Sequence, residues 1–307
     1  MATIKLTGLI PQAYEHPSDK SALDALANNG GLDKLLSKLH SWGFEQSLRI
    51  ELTGSFLKVT KECFGDLFKL LETACITLDM PARPELYIAA GPLNAFTAGV
   101  EKPLIVIYSG LVEALTEEEL LFVIAHELGH IKSAHVLYYQ LAKFLPALAE
   151  QAAHFTFGLS EFVGVGVEMA LLHWQRMSEY TADRAGLLGC QDAKVAFRTL
   201  MKLAGLPQKY YSKINTADFI AQAKTFEALE RDKFAIIAKV LNMDASHPYT
   251  VMRAKQLLDW YDGGGYDQVL KNPQVLKRLC TRCSYTLKGT ELFCPGCSLR
   301  LSASAGA

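Results

Sequence analysis

The sequence predicts a mainly helical α+β fold with a small sheet, followed by a small four-cysteine module. Three observations carry this. Apolar residues recur at helical spacing over most of 116 to 260, Leu86 to Ala90 and Leu104 to Tyr108 read as short strands, and two Cys-x-x-Cys pairs close the chain. At 307 residues and 50% hydrophobic content, the chain can bury one sizeable core and carry a small module beside it. Its net charge of −1 gives no general attraction to nucleic acid or to an acidic membrane.

Residues 1–60 read as an N-terminal helical lead-in with no recognisable chemistry. Leu32, Leu35, Leu36 and Leu39 fall at helical spacing there, preceded by a turn at His16-Pro17. The apolar stretch Leu6 to Ile10 is too short, and too broken by Gly8 and Pro11, for a signal peptide. Residues 61–262 form the main domain, with a helix over 62–79, the two strands, and then helices. Within it, 136–172 are expected to insert a helical hairpin. Tyr138, Leu141, Leu145 and Leu148, then Phe162, Val163, Val167 and Leu171, mark two amphipathic helices joined near Gly158. Packing against the domain is the plain expectation, and a membrane-surface contact or a substrate lid is the alternative. Lys143, Glu150, Glu161 and Glu168 interrupt this spacer, so no apolar run approaches the roughly 18 residues of an integral span. Gly263-Gly264-Gly265 reads as a hinge before a short helix, and the tail from Ser302 as disordered. Cys63, Cys75 and Cys190 sit alone in apolar patterns, as reduced core thiols of a cytoplasmic protein would, with peripheral membrane contact left open.

The chemistry concentrates at His126-Glu127-Leu128-Gly129-His130. Two histidines four apart lie about 40° from one another on a helix, so both imidazoles reach one metal ion. Glu127 falls beside the pair, where it can take a proton from a metal-bound water; this is the layout of a zinc hydrolase. Thr116 with Glu117, Glu118 and Glu119 reads as a capping box for that helix. A third histidine ten residues after the first, the arrangement of one enzyme class, is excluded, because position 136 is Val136 and Ser133 replaces the glycine. His135 projects about 180° from His126 on a continued helix, as a surface or packing histidine would. Further on, Glu179 and Asp183 lie four apart in Arg176 to Asp183. Glu179 can ligate zinc with Asp183 hydrogen-bonding a ligating histidine from behind; a solvated acidic face paired with Arg176 and Arg184 is the alternative.

With an HExxH helix, a long spacer, and then Ser-Glu-Tyr-Thr-Ala-Asp at 178–183, the chain resembles the HtpX-like and CaaX prenyl-endopeptidase family of gluzincin zinc metallopeptidases. The likeness spans roughly residues 60 to 260 and takes in Asn94-Ala95-Phe96, Leu104 to Ser109, Glu117 to Leu120, Ser246-His247-Pro248 and Arg253. It implies a zinc ion held by His126, His130 and Glu179 with a fourth position for water, and Glu127 as general base and later acid. It further implies that Asp183 and Arg253 support the ligands, and that Asn94, Ala95 and Phe96 lie by a strand edge onto which a substrate peptide adds. His247 would stabilise the oxyanion, although His247-Pro248 equally suits a plain helix start. Membrane-bound members carry spans around the zinc motifs, so this chain reads as a soluble member.

Cys280-x-x-Cys283 and Cys294-Pro-Gly-Cys297 are two knuckles with ten residues between them, a spacing that lets a short hairpin bring four thiolates to one tetrahedral ion. Residues 275–300 are thus expected to form a zinc ribbon, closed and structural. From Lys271 onward six residues are basic and one is acidic, but the thiolate site itself carries charge −2 and aromatic interleaving is sparse. Protein or substrate docking is favoured over nucleic acid. The function expected is a zinc endopeptidase acting on proteins or peptides, with one catalytic and one structural zinc. The alternative is a non-catalytic zinc protein that docks through its ribbon.

Overall fold

The computed structural model describes residues 3–27, 44–142, 165–230 and 249–274, with the backbone of 278–279 and 286–287. Its helices are α1 (Pro17–Ala27), α2 (Phe44–Ser55), α3 (Gly65–Thr77), α4 (Ser109–Ala114), α5 (Glu117–Lys132), α6 (Val165–Cys190), α7 (Ala193–Leu203), α8 (Thr216–Glu230), α9 (Thr250–Asp262) and α10 (Gly265–Lys271). The strands are β1 (Leu57–Lys58), β2 (Glu85–Ala89), β3 (Ala95–Ala98), β4 (Leu104–Tyr108), β5 (Arg278–Leu279) and β6 (Thr286–Leu287).

Four strands form one mixed sheet in the order β1-β2-β4-β3, with β2 and β4 parallel and both outer pairings antiparallel. The apolar run of β4 marks its central place, because a strand covered on both faces cannot alternate with polar residues. Ile105 and Ile107 enter the main core with Leu67 and Leu71 of α3 and the apolar residues of α5. Leu104 and Val106 point the other way, into a second cluster with Leu52 of α2, Tyr87 and Ala89. The sheet is therefore a layer between helices. β3 is an edge strand, with no strand on its outer side among the described residues.

Helix α5 runs through the interior, and every residue from Glu119 to His130 is buried. Its start is the expected capping box: Thr116 Oγ1 accepts from the Glu119 N–H, and Glu119 Oε2 accepts from the Thr116 N–H at 2.8 Å. Glu119 tolerates full burial because Lys202 Nζ and Arg198 Nε of α7 also donate to it, at 2.6 and 2.5 Å. These bonds outweigh the upward push of burial and hold its carboxyl below the usual range. Helix α6 packs along α5 at short range. A Cβ on Gly129 would lie 2.6 Å from Ala185 Cβ, and one on Gly189 would lie 2.1 Å from Ala125 Cβ. Neither position has room for a side chain, and the two backbones approach accordingly.

The structure departs from the sequence-based expectations in several places. Leu6, Leu9 and Tyr14 are buried in the main core, and α1 packs on α6 through Leu26, Leu171 and Trp174. Leu32 to Leu39 lie outside the described residues. The second half of the expected hairpin is continuous with the helix carrying Glu179, since α6 begins at Val165; helical residues 136–142 precede it, and 143–164 lie outside the described residues. The glycine run is a tight turn rather than a loose hinge. Gly264 takes φ 76°, which only glycine adopts cheaply, and α10 folds back so that Tyr266 and Val269 join the core. Cys75 is buried and Cys190 half-buried, but Cys63 is exposed and not a core thiol. Among the described residues no helix is long and apolar enough to cross a membrane.

Candidate active site

The 3.6-residue turn puts His126 and His130 on one side of α5, and the close packing of α6 brings Glu179 opposite them. The two Nε2 atoms are 3.2 Å apart, with His126 Nε2 3.6 Å and His130 Nε2 3.4 Å from the Glu179 carboxylate oxygens. Zinc bonds of about 2.0–2.2 Å in a tetrahedron place neighbouring ligand atoms roughly 3.3–3.6 Å apart. The three side chains therefore fit zinc in donor type and in spacing. All three are buried, and among the described residues this is the cluster that could hold a metal ion.

Each ligand candidate is held from behind. His126 Nδ1 lies 3.1 Å from Asp183 Oδ1, as expected one turn after Glu179. Arg253 of α9 donates to both oxygens of Asp183, at 2.8 and 2.6 Å, and its Nη1 is 3.1 Å from Glu179 Oε2. Burial pushes the Asp183 carboxyl up, but the Arg253 charge and the bonds from Arg253 and His126 prevail and hold it below the usual range. Burial likewise keeps the His130 imidazole below its ordinary pKa, against the pull of Glu179. A neutral ring is the form a metal requires. Asp183 and Arg253 thus touch two of the candidate ligands, His126 and Glu179.

Glu127 does not join the converging atoms. It points to the sheet, where Thr97 Oγ1 donates to its Oε2 at 2.6 Å. It shares with His126, Glu179 and Arg253 a cleft of about 50 Å³, lined also by Asn94, Ala95, Leu111, Phe122, Val123 and Leu203. That volume holds more than one water, each needing about 10–15 Å³. Asn94 and Ala95 both line it. Phe96 alternates to the other face of the sheet, packing on the cluster of Leu52 and Tyr87, with its ring centroid 5.9 Å from that of Tyr108. The Tyr108 N–H donates to Asn94 O, so by antiparallel alternation the backbone groups of Ala95 and Thr97 face the open edge.

Several site residues were not foreseen. Thr97 is one of them, through its hydroxyl on Glu127. Tyr139, in the helical residues 136–142, donates to Glu179 Oε1 at 2.6 Å, with its ring against His130; burial and the adjacent Glu179 carboxylate keep its phenol protonated. His135 is a correction: it is neither on the surface nor merely packed, for its Nδ1 lies 3.0 Å from His130 Nδ1. Projecting it along α5 fails because the helix stops at Lys132 and Ala134 turns the chain back with φ 57°. Asp19, buried in α1, lies 3.1 Å from His135 Nε2. No spacing pattern points to it. His247, Cys280, Cys283, Cys294 and Cys297 lie outside the described residues.

Comparisons with known proteins agree with this geometry. The family model described as Peptidase family M48 matches residues 62–261. The plastoglobule-localized metallopeptidase 48, chloroplastic, of Arabidopsis thaliana is 34% identical over 262 residues, covering 84% of this chain and 75% of that protein. A protease HtpX homolog of Helicobacter acinonychis is 28% identical over 188 residues, 53% of this chain and 60% of its own length. One from Syntrophotalea carbinolica is 27% identical over 168 residues, covering 45% and 58%. The chain thus spans about three fifths of the bacterial relatives' length. No solved structure matches. A family match over most of the chain, around an HExxH helix with its glutamate in place, establishes that the protein belongs to peptidase family M48 and is an HtpX-like metalloprotease.

Proposed function

We propose that the protein is a zinc endopeptidase that hydrolyses peptide bonds of protein or peptide substrates at this cleft. The observation that carries the reading is the convergence of His126, His130 and Glu179 at zinc-ligand spacing, beside a carboxylate that stays out of the set. Zinc bound there supplies positive charge that acidifies a water and polarises the scissile carbonyl. Glu127, held by Thr97, takes the proton of the attacking water and returns it to the leaving amine. Ala95 and Thr97 offer backbone N–H and C=O groups along β3 to an extended substrate strand, and Asn94 lines its approach. His247, six residues before Arg253, stabilises the oxyanion, a role that rests on the sequence resemblance.

Cys280, Cys283, Cys294 and Cys297 hold a second, structural zinc in a ribbon over 275–300 that serves docking. The knuckle spacing supports this, as does the antiparallel pairing of β5 with β6 on either side of the segment that contains Cys280 and Cys283. A cytoplasmic site of action with peripheral membrane contact is the reading from cysteine usage and apolar patterning; the Arabidopsis relative is by its name chloroplastic. The test is cleavage of a peptide library by the purified protein and by Glu127→Gln. The variant should keep its zinc and lose at least about 100-fold in turnover, the scale of a lost general base. Equal cleavage by both proteins overturns the mechanism.

A further inference from the structure

Asp19 lies well before residues 62–261, yet it ends a chain of hydrogen bonds that starts at a candidate metal ligand. His130 Nδ1 is 3.0 Å from His135 Nδ1, and His135 Nε2 is 3.1 Å from Asp19 Oδ2. Thr181 Oγ1, two residues after Glu179, donates to that same oxygen at 2.6 Å and accepts from the backbone N–H of His16 at 3.0 Å. Every member is buried, with Asp19 fully so and His135 2% exposed. The ring of His135 is further fixed edge-on against Trp174, with 5.6 Å between centroids.

The proton positions along this chain follow from its end. A carboxylate only accepts, so His135 carries its proton on Nε2 and donates it to Asp19. His135 Nδ1 then holds a lone pair, and the proton between the two rings belongs to His130 Nδ1. That leaves the lone pair of His130 on Nε2, the atom that faces His126 and Glu179. In the reverse arrangement His130 would carry its proton on Nε2, where a metal must bind. His126 is set the same way but directly, by Asp183.

We propose that His135 and Asp19 are positioning residues that fix the tautomer and ring orientation of His130, so that the N-terminal helix α1 completes the metal centre. The inference rests on the reading of His126, His130 and Glu179 as zinc ligands. It makes the segment ahead of the family-matched region part of the metal site rather than a lead-in.

The experiment measures zinc affinity of the full-length protein by chelator competition, together with the visible spectrum after cobalt(II) substitution. The proteins compared are wild type, His135→Leu, His135→Asn, Asp19→Asn and Glu179→Ala. Asn at 135 can present its oxygen where Nδ1 stood, and Asn at 19 preserves shape. His135→Leu and Asp19→Asn should bind zinc about 10–100-fold more weakly at the Glu179-dependent site and alter the cobalt bands, the scale seen when such supporting partners are removed. His135→Asn should stay nearer to wild type. Wild-type affinity and cobalt bands in both His135→Leu and Asp19→Asn would overturn the proposal, and so would equal losses in His135→Leu and His135→Asn. If instead wild type binds no zinc that Glu179→Ala abolishes, it is the ligand assignment that fails.

Discussion

The hydroxyl of Thr97 donates to Glu127 Oε2 at 2.6 Å, so the strand that borders the cleft also aims the carboxylate beside the candidate metal ligands. The edge strand proposed to take substrate is thereby joined to the proposed base.

Replacing Thr97 with valine keeps volume and strand propensity but removes that donor. Hydrogen bonds to charged groups contribute about 1.5–3 kcal/mol, so kcat should fall about tenfold or more while bound zinc is unchanged. Single-turnover cleavage alongside metal analysis separates the two effects. Undiminished kcat in Thr97→Val would dissociate the strand from the chemistry.

Gly129 sits between the two histidines in a contact where a methyl group would meet Ala185 Cβ at 2.6 Å. Gly129→Ala gains roughly 1 kcal/mol of helix propensity, but overpacking a close helix contact costs about 1–3 kcal/mol. Because the contact also sets the gap between α5 and Glu179, zinc affinity should fall together with the thermal midpoint. A variant as tight for zinc as wild type would show that the ligands are placed independently of helix spacing.

His16 gives a pH dependence of stability. The Ser18 N–H donates to its Nδ1 at 3.1 Å, and its Nε2 lies 3.0 Å from Gln256 Oε1, a pattern that requires a neutral ring. Burial, helped by the positive charge of Arg184 and opposed by the Gln256 bond and Asp19, lowers its pKa from 6.5 to about 4. The unfolded chain therefore takes up a proton between those values while the native state does not, and stability falls as pH drops through 6.5 toward 4. The contribution amounts to about 2 kcal/mol between pH 7.5 and pH 5. Urea unfolding at both pH values should show that slope in wild type and a shallower one in His16→Gln; identical slopes would remove His16 as the cause.

Metal analysis tests the ribbon. Two zinc ions per chain are expected for an open mixed site and a closed thiolate site, and removing 275–307 should leave one. Retention of both ions after truncation, or a single ion in the zinc-repleted full chain, would refute the second site.

Local rules made the catalytic helix legible. The capping box at Thr116 and Glu119, the apolar surround, and the relation of His126, Glu127 and His130 depend only on helix geometry within one segment. The same holds for Glu179 and Asp183 as neighbours one turn apart, and for Leu104 to Tyr108 as a strand. What no periodicity contains is which segments meet. Glu179 reaches the histidines because Gly129 and Gly189 let α6 lie close on α5; Thr97 and Phe96, adjacent in sequence, serve opposite faces because β3 alternates on the sheet edge. His135 was projected away from the site on a helix that in fact ends, and the αL turn at Ala134 brings it back. Asp19 joins from a helix more than a hundred residues before His130, through contacts that follow from burying Leu26 against Trp174 and Leu171. Sequence alone determined the reactive groups and their local spacing, since helix geometry acts over a few residues; the tertiary structure decided their supports, because those depend on which apolar faces pack together.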